Sequence, residues 1–126
     1  MSSEGDTSSA ARPLVAVVCV VPLVAEAVSA ALDFAEVRSF AGHRDTPGLL
    51  RWLNPDAVVV DNPEDAAEAA EFAQTNELPV VQVCVHDRSL EVFRDGRWHD
   101  ASDEGPTPEA IRNVLAGSLF ARVGSR

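Results

Sequence analysis

The chain has 126 residues, 46% of them hydrophobic but only 6% aromatic, and 20 acidic residues against 10 basic ones give a formal net charge of −10. That length supports one domain burying roughly two thirds of its unfolded surface, and the charge opposes contact with nucleic-acid phosphates or anionic membranes. All ten basic residues are arginine, which excludes a P-loop lysine, a Schiff-base lysine and a lysine clamp on a phosphoryl group.

The glycines never fall as Gly-x-Gly, so the dinucleotide fingerprint is missing as well. Residues 1–12 are rich in Ser, Gly and acid and lack the basic start of a signal peptide, so they read as a disordered tail ahead of a domain over 13–122, with 123–126 as a flexible end. Leu14 to Ala25, the longest apolar run, is too short to span a bilayer and is broken by Pro22.

Leu14 to Val21 is apolar without alternation, the pattern of a strand buried on both faces of a parallel sheet. Pro22 then opens a helix at its first position, with Leu23, Val24, Ala27, Val28, Ala31 and Leu32 at helical spacing. Glu36 to Phe40 is a shorter strand. Thr46-Pro47 has the form of an N-cap followed by proline, and the helix after it carries Leu49, Leu50, Trp52 and Leu53. It must stop near Asn54, because a residue before proline is pushed out of the helical region.

Ala57 to Val60 forms the central strand, ending at Asp61. Asn62-Pro63 repeats the cap-plus-proline signal, and Glu64 and Asp65 set negative charge at the positive end of a helix with a small stripe of Ala66, Ala69, Ala70 and Ala73. Val80 to Val85 is a fourth strand. Cys19 and Cys84 each lie in a Val-rich run, as small buried hydrophobes; if their strands are not neighbours, about 9 to 10 Å separates them, too far for a disulfide. Free thiols fit a reducing cytoplasm.

After the fourth strand the strand-helix rhythm breaks. Leu90 to His99 reads as a β-hairpin around Asp95-Gly96. A two-residue turn would set Arg94 opposite Arg97 and Glu91 opposite Asp100, two like-charge pairs. A three-residue turn pairs Phe93 with Arg97, Val92 with Trp98 and Glu91 with His99, gathers Leu90, Val92 and Trp98 on one apolar face, and is the expected register. Ala101 to Pro106 is an acidic linker, and Thr107-Pro108-Glu109 caps a last helix with Ile111, Val114, Leu115, Ser118 and Leu119 inward. The expected fold is an α/β three-layer sandwich with a mainly parallel sheet of order 2-1-3-4-5, a β-hairpin standing where a fourth helix would be.

The passage Leu49-Leu50-Arg51-Trp52-Leu53-Asn54-Pro55-Asp56-Ala57-Val58-Val59-Val60-Asp61 resembles the middle of a response-regulator receiver domain, and Leu78-Pro79-Val80-Val81-Gln82-Val83-Cys84-Val85 resembles that family's fourth strand. The resemblance covers roughly residues 13 to 85. It implies a flavodoxin-like fold, with Asp61 at the phosphoacceptor position and Cys84 where the family has a phosphate-sensing hydroxyl.

Four departures concern the chemistry. Val20-Val21-Pro22 stand where the family holds magnesium with a pair of acids, and magnesium needs oxygen ligands. The family's fifth-strand lysine is missing, Cys84 is a weaker donor than Ser or Thr, and Pro63 shortens the loop after Asp61.

Two candidate sites follow. Asp61, Asn62, Cys84, His86 and Asp87 would form a polar cluster at the carboxyl edge of the sheet, fit for a phosphoryl group, a metal or a small ligand, or else for capping and solvated loops. Phe93, Arg97 and Trp98 on the hairpin would form a protein interface, with Phe93 and Arg97 projecting away from the core, or else simply cover it. The expectation drawn from both is a non-catalytic, cytoplasmic signalling module that contacts proteins as a homodimer, with no cofactor, nucleic acid or membrane; a phosphoacceptor receiver using Asp61 and a small-ligand binder are the alternatives.

Overall fold

The computed structural model describes residues 12–40, 45–84, 87–101 and 107–124, the side chains of 120–124 excepted. Its elements in chain order are β1 (Leu14–Val18), α1 (Pro22–Ala31), β2 (Glu36–Phe40), α2 (Thr46–Leu53), β3 (Ala57–Val60), α3 (Pro63–Asn76), β4 (Val80–Cys84), β5 (Ser89–Arg94), β6 (Arg97–Asp100) and α4 (Pro108–Gly124). The strands form one open sheet of order β2-β1-β3-β4-β5-β6. Its first four strands run parallel, whereas β4, β5 and β6 pair antiparallel. The sequence leads to the α/β class and the parallel core, but the expected order of five strands omits the sixth: both arms of the hairpin join the sheet.

Because β1 and β3 are buried on both faces, their side chains alternate between two cores. Val15, Val17, Ala57 and Val59 pack beneath α1 and α4 with Val28, Leu32, Ile111 and Leu115. Ala16, Val18, Val58 and Val60 pack on the other side with Leu49 and Leu50 of α2 and Ala66, Ala69 and Ala73 of α3. Alanine at these α3 positions lets the helix lie close to the valine-covered sheet.

Several local signals act as expected. Asn54 takes a left-handed conformation (φ 52°) and closes α2 just before Pro55. Asn62 caps α3, its side-chain oxygen accepting from Asp65 N at 2.8 Å, and the Thr107 hydroxyl accepts from Ala110 N at 3.1 Å at the start of α4. The cap of α2 is shifted by one residue. Asp45, not Thr46, is its N-cap, with the carboxylate accepting from Gly48 N at 3.1 Å, and Thr46 is fully buried. Trp52 lies outside the core, 76% exposed. Arg12, the first described residue, donates to Ala35 O at 2.9 Å, and α4 continues to Gly124, two residues past the expected domain end.

α3 ends on Glu77, whose backbone is left-handed (φ 57°) while its N–H donates to Ala73 O at 2.6 Å. A side chain in that conformation costs about 1 kcal/mol, which glycine avoids. Glu77→Gly should therefore raise the thermal midpoint by about 3 °C, measurable by calorimetry.

The hairpin register differs from expectation. Arg94 pairs with Arg97, Phe93 with Trp98, Val92 with His99 and Glu91 with Asp100. The turn is the two-residue type, since Asp95 (φ 56°) and Gly96 (φ 83°) both have positive φ, the geometry whose twist matches that of the strands. Of the like-charge pairs that argue against it, Arg94 and Arg97 are both exposed, as is Asp100, with Glu91 half-buried, so repulsion is screened. In exchange Phe93 and Trp98 meet edge to face at 5.3 Å, a contact of about 1 kcal/mol. Gly96→Ala, placing a side chain at φ 83°, should destabilise by about 1 kcal/mol in denaturant titration.

Candidate functional site

The chain order reverses between β1 and β3, since β2 lies beyond β1 and β4 beyond β3. In open α/β sheets the crevice outside the carboxyl ends of such strands is the usual ligand site. Two loops meet there: Cys19 to Val21 after β1, and Asp61-Asn62 after β3.

Asp61 occupies that crevice with its own carboxylate. Oδ1 accepts from Val20 N and Oδ2 from Val21 N, both at 2.9 Å, and Asn62 Nδ2 donates to Oδ1 at 3.3 Å. Val21 is the N-cap of α1 and has no capping side chain of its own. A helix start leaves amide donors unsatisfied, and a carboxylate there is favoured both as acceptor and by the helix dipole. Asp61 therefore caps α1 from another strand, not α3, the helix that follows it; Asn62 does that.

A second cluster lies beside it. Asn62 Nδ2 also donates to Asp65 Oδ2 at 2.8 Å, and the Thr46 hydroxyl donates to Asp65 Oδ1 at 2.9 Å. Thr46 is fully buried and Asp65 is 8% exposed, so this contact joins the first turns of α2 and α3 inside the protein. The sequence showed Asp65 only as a helix-start acid. Its partner lies 19 residues away, and no local pattern announces it.

Of the expected polar cluster, the described hydrogen bonds join Asp61 and Asn62. The backbone donors to Asp61 come from the β1 side, Cys84 ends the neighbouring strand β4 half-buried, and Asp87 is exposed. His86 lies outside the described residues. Among those residues, no group of three His, Cys, Asp or Glu could hold a metal ion, and no helix is long and apolar enough to cross a membrane.

The hairpin interface also needs correction. Phe93 is only 7% exposed and belongs to the core beneath α2 and α3, with half-buried Trp98 packed beside it on the same face. Leu90 and Val92 face the opposite core. The two-residue turn sets this arrangement, because moving the register by one residue transfers each β6 side chain to the other face. Of the three candidates only Arg97 is exposed.

The large hydrophobic side chains exposed among the described residues are Val20 (56%), Val21 (44%), Leu23 (75%) and Trp52. Three of the four sit on the turn that Asp61 holds.

Cys19, one residue past β1, is fully buried, and its thiol is pushed up to about 12, first by burial and then by the charges of Asp61 and Asp65. The unfolded thiol titrates near 8.5. With the folded value raised, this contribution to stability is complete below about 8.5 and is lost as pH rises toward about 12. Neither lysine nor tyrosine is present to obscure that range. Thermal midpoints should fall over it in the native chain and fall less in Cys19→Ala. Both cysteines are free, and β3 separates their strands. A thiol reagent at neutral pH should label half-buried Cys84 in the folded protein and Cys19 only after unfolding.

Comparison of the chain with protein-family models, with curated proteins and with solved structures finds no significant match in any of the three.

Proposed function

We propose that this chain is a non-catalytic, receiver-like α/β module that acts through protein contacts as a homodimer. One observation supports it above the others: at the position of a receiver's phosphoacceptor, the Asp61 carboxylate is committed to Val20 N, Val21 N and Asn62 Nδ2. A phosphoryl group on Asp61 would have to break the capping of α1. In the same crevice the magnesium-binding acids of the family are replaced by Val20 and Val21, which with Leu23 turn apolar surface to solvent. Apolar side chains held outward on a fixed turn suit contact with another protein.

Two measurements test the reading. Incubation with a small acyl-phosphate donor and magnesium, followed by intact mass, should leave the mass unchanged; a phosphoryl adduct lost in Asp61→Asn would restore the phosphoacceptor alternative. Sedimentation at high micromolar concentration should show a dimer, and a strict monomer would remove the homodimer.

A further inference from the structure

The sheet ends at β2, and two hydrogen bonds fix which of its peptide groups face outward. Glu36 N donates to Pro13 O at 2.8 Å, and Cys19 N donates to Phe40 O at 3.1 Å. In a parallel ladder alternate residues bond to the neighbouring strand. Glu36, Arg38 and Phe40 therefore face β1, while the N–H and C=O of Val37 and Ser39 point away from the sheet. Among the described residues no hydrogen bond reaches those four groups.

This edge carries no proline, and its only charged guards against strand addition are Glu36 and Arg38, which pair with each other. It is five residues long, Glu36-Val37-Arg38-Ser39-Phe40. Its two charges cancel in a chain of net charge −10, and they lie on one face, Arg38 Nη2 to Glu36 Oε2 at 3.0 Å. The side chains are half exposed, 55% for Arg38 and 47% for Glu36.

Resting on the homodimer reading above, we propose that β2 is where two copies of this chain join, edge to edge and antiparallel, about a two-fold axis beside Arg38. Such an axis must stand normal to the sheet, so residues that face each other share a sheet face. Centred on Arg38, it places Val37 opposite Ser39 of the second copy. All four outward groups of each strand are then satisfied by four hydrogen bonds across the axis. An axis at Val37 would instead call on Ala35, whose N–H is already given to Leu32 O and whose C=O accepts from Arg12.

Self-complementarity selects a second copy over an unrelated strand, because the outward groups of Val37 and Ser39 match their own copies about Arg38. Each Arg38 meets the other Arg38 across the axis, a like-charge contact that the Glu36 of the second copy, diagonal to it and within reach of long side chains, offsets. Two arginines and two glutamates thus alternate with no net charge. One strand pair buries less than a stable interface needs, so association falls in the micromolar range.

Sedimentation at 0.15 M salt, where net repulsion is screened beyond about 8 Å, tests this with four variants. Ser39→Pro removes an outward N–H without touching the β1 ladder. Arg38→Glu and Glu36→Arg each gather like charges at the axis and should weaken association about tenfold or more. The swapped pair Glu36→Arg with Arg38→Glu should restore it. Circular dichroism establishes that each variant is folded, and the swap serves should the proline variant not fold. A wild-type dimer that ignores Ser39→Pro, Arg38→Glu and Glu36→Arg alike overturns the β2 edge and leaves the homodimer standing. A wild-type chain that stays monomeric overturns both.

Discussion

Asp61→Ala should destabilise the fold by about 3 kcal/mol, lowering the thermal midpoint by roughly 10 °C without abolishing folding. The carboxylate receives two backbone donors at 2.9 Å, and bonds to an ionised acceptor are worth more than neutral ones. Part of the loss is recovered because the freed amides at this exposed turn can bind water. Asp61→Asn keeps one acceptor oxygen but loses the charge and the second acceptor, so it should fall between. Hydrogen exchange separates a local effect from a general one: the amides of Val20, Val21 and the first turn of α1 should lose protection first.

Asp65→Ala should cost about as much, for a different reason. Asp65 is 8% exposed and accepts from the Thr46 hydroxyl and from Asn62 Nδ2, so its loss removes the acceptor of two donors and an anion from the start of α3. Thr46→Val, which keeps the shape and removes the hydroxyl, should cost about 1 to 2 kcal/mol. The two should not add. A double-mutant cycle in denaturant should return a coupling of about 1 kcal/mol, and a value near zero would mean that the contact does not join α2 to α3.

What the sequence made legible was whatever is decided within a few residues. Asn54-Pro55 stops a helix and Asn62-Pro63 starts one because the constraint is steric and local, and the valine runs announce a sheet buried on both faces. The hairpin is legible in Asp95-Gly96, but its register is not, because two like-charge pairs oppose the register that the twist of a two-residue turn favours. The three-residue register puts Trp98 on the face of Leu90 and Val92, whereas it lies with Phe93 on the other, and that second face is buried as well. Asp61 stood out as the centre of the fold, yet its partners were hidden for a simple reason: they are the peptide groups of Val20 and Val21, which every residue but proline carries. The outward position of Trp52 was hidden too, since its neighbours Leu49, Leu50 and Leu53 share the same apolar run.

Asp61 has a counterpart at the other end of β3. Asp56 Oδ2 accepts from Leu14 N at 2.9 Å, so the acids flanking Ala57–Val60 hold both ends of β1. Between those ends the two central strands are almost featureless, Val15 to Val18 lying beside Ala57 to Val60. A slip of β1 by two residues would keep every side chain on its face but exchange Ala16 with valine in the buried core, so packing opposes it by only a methyl group or two. It would also carry each strand end about 7 Å from its carboxylate. The two aspartates therefore act as end stops that add to the packing preference of Ala16 and Ala57 in selecting one alignment, and the chain's most uniform stretch has its position held by the two residues that bound it.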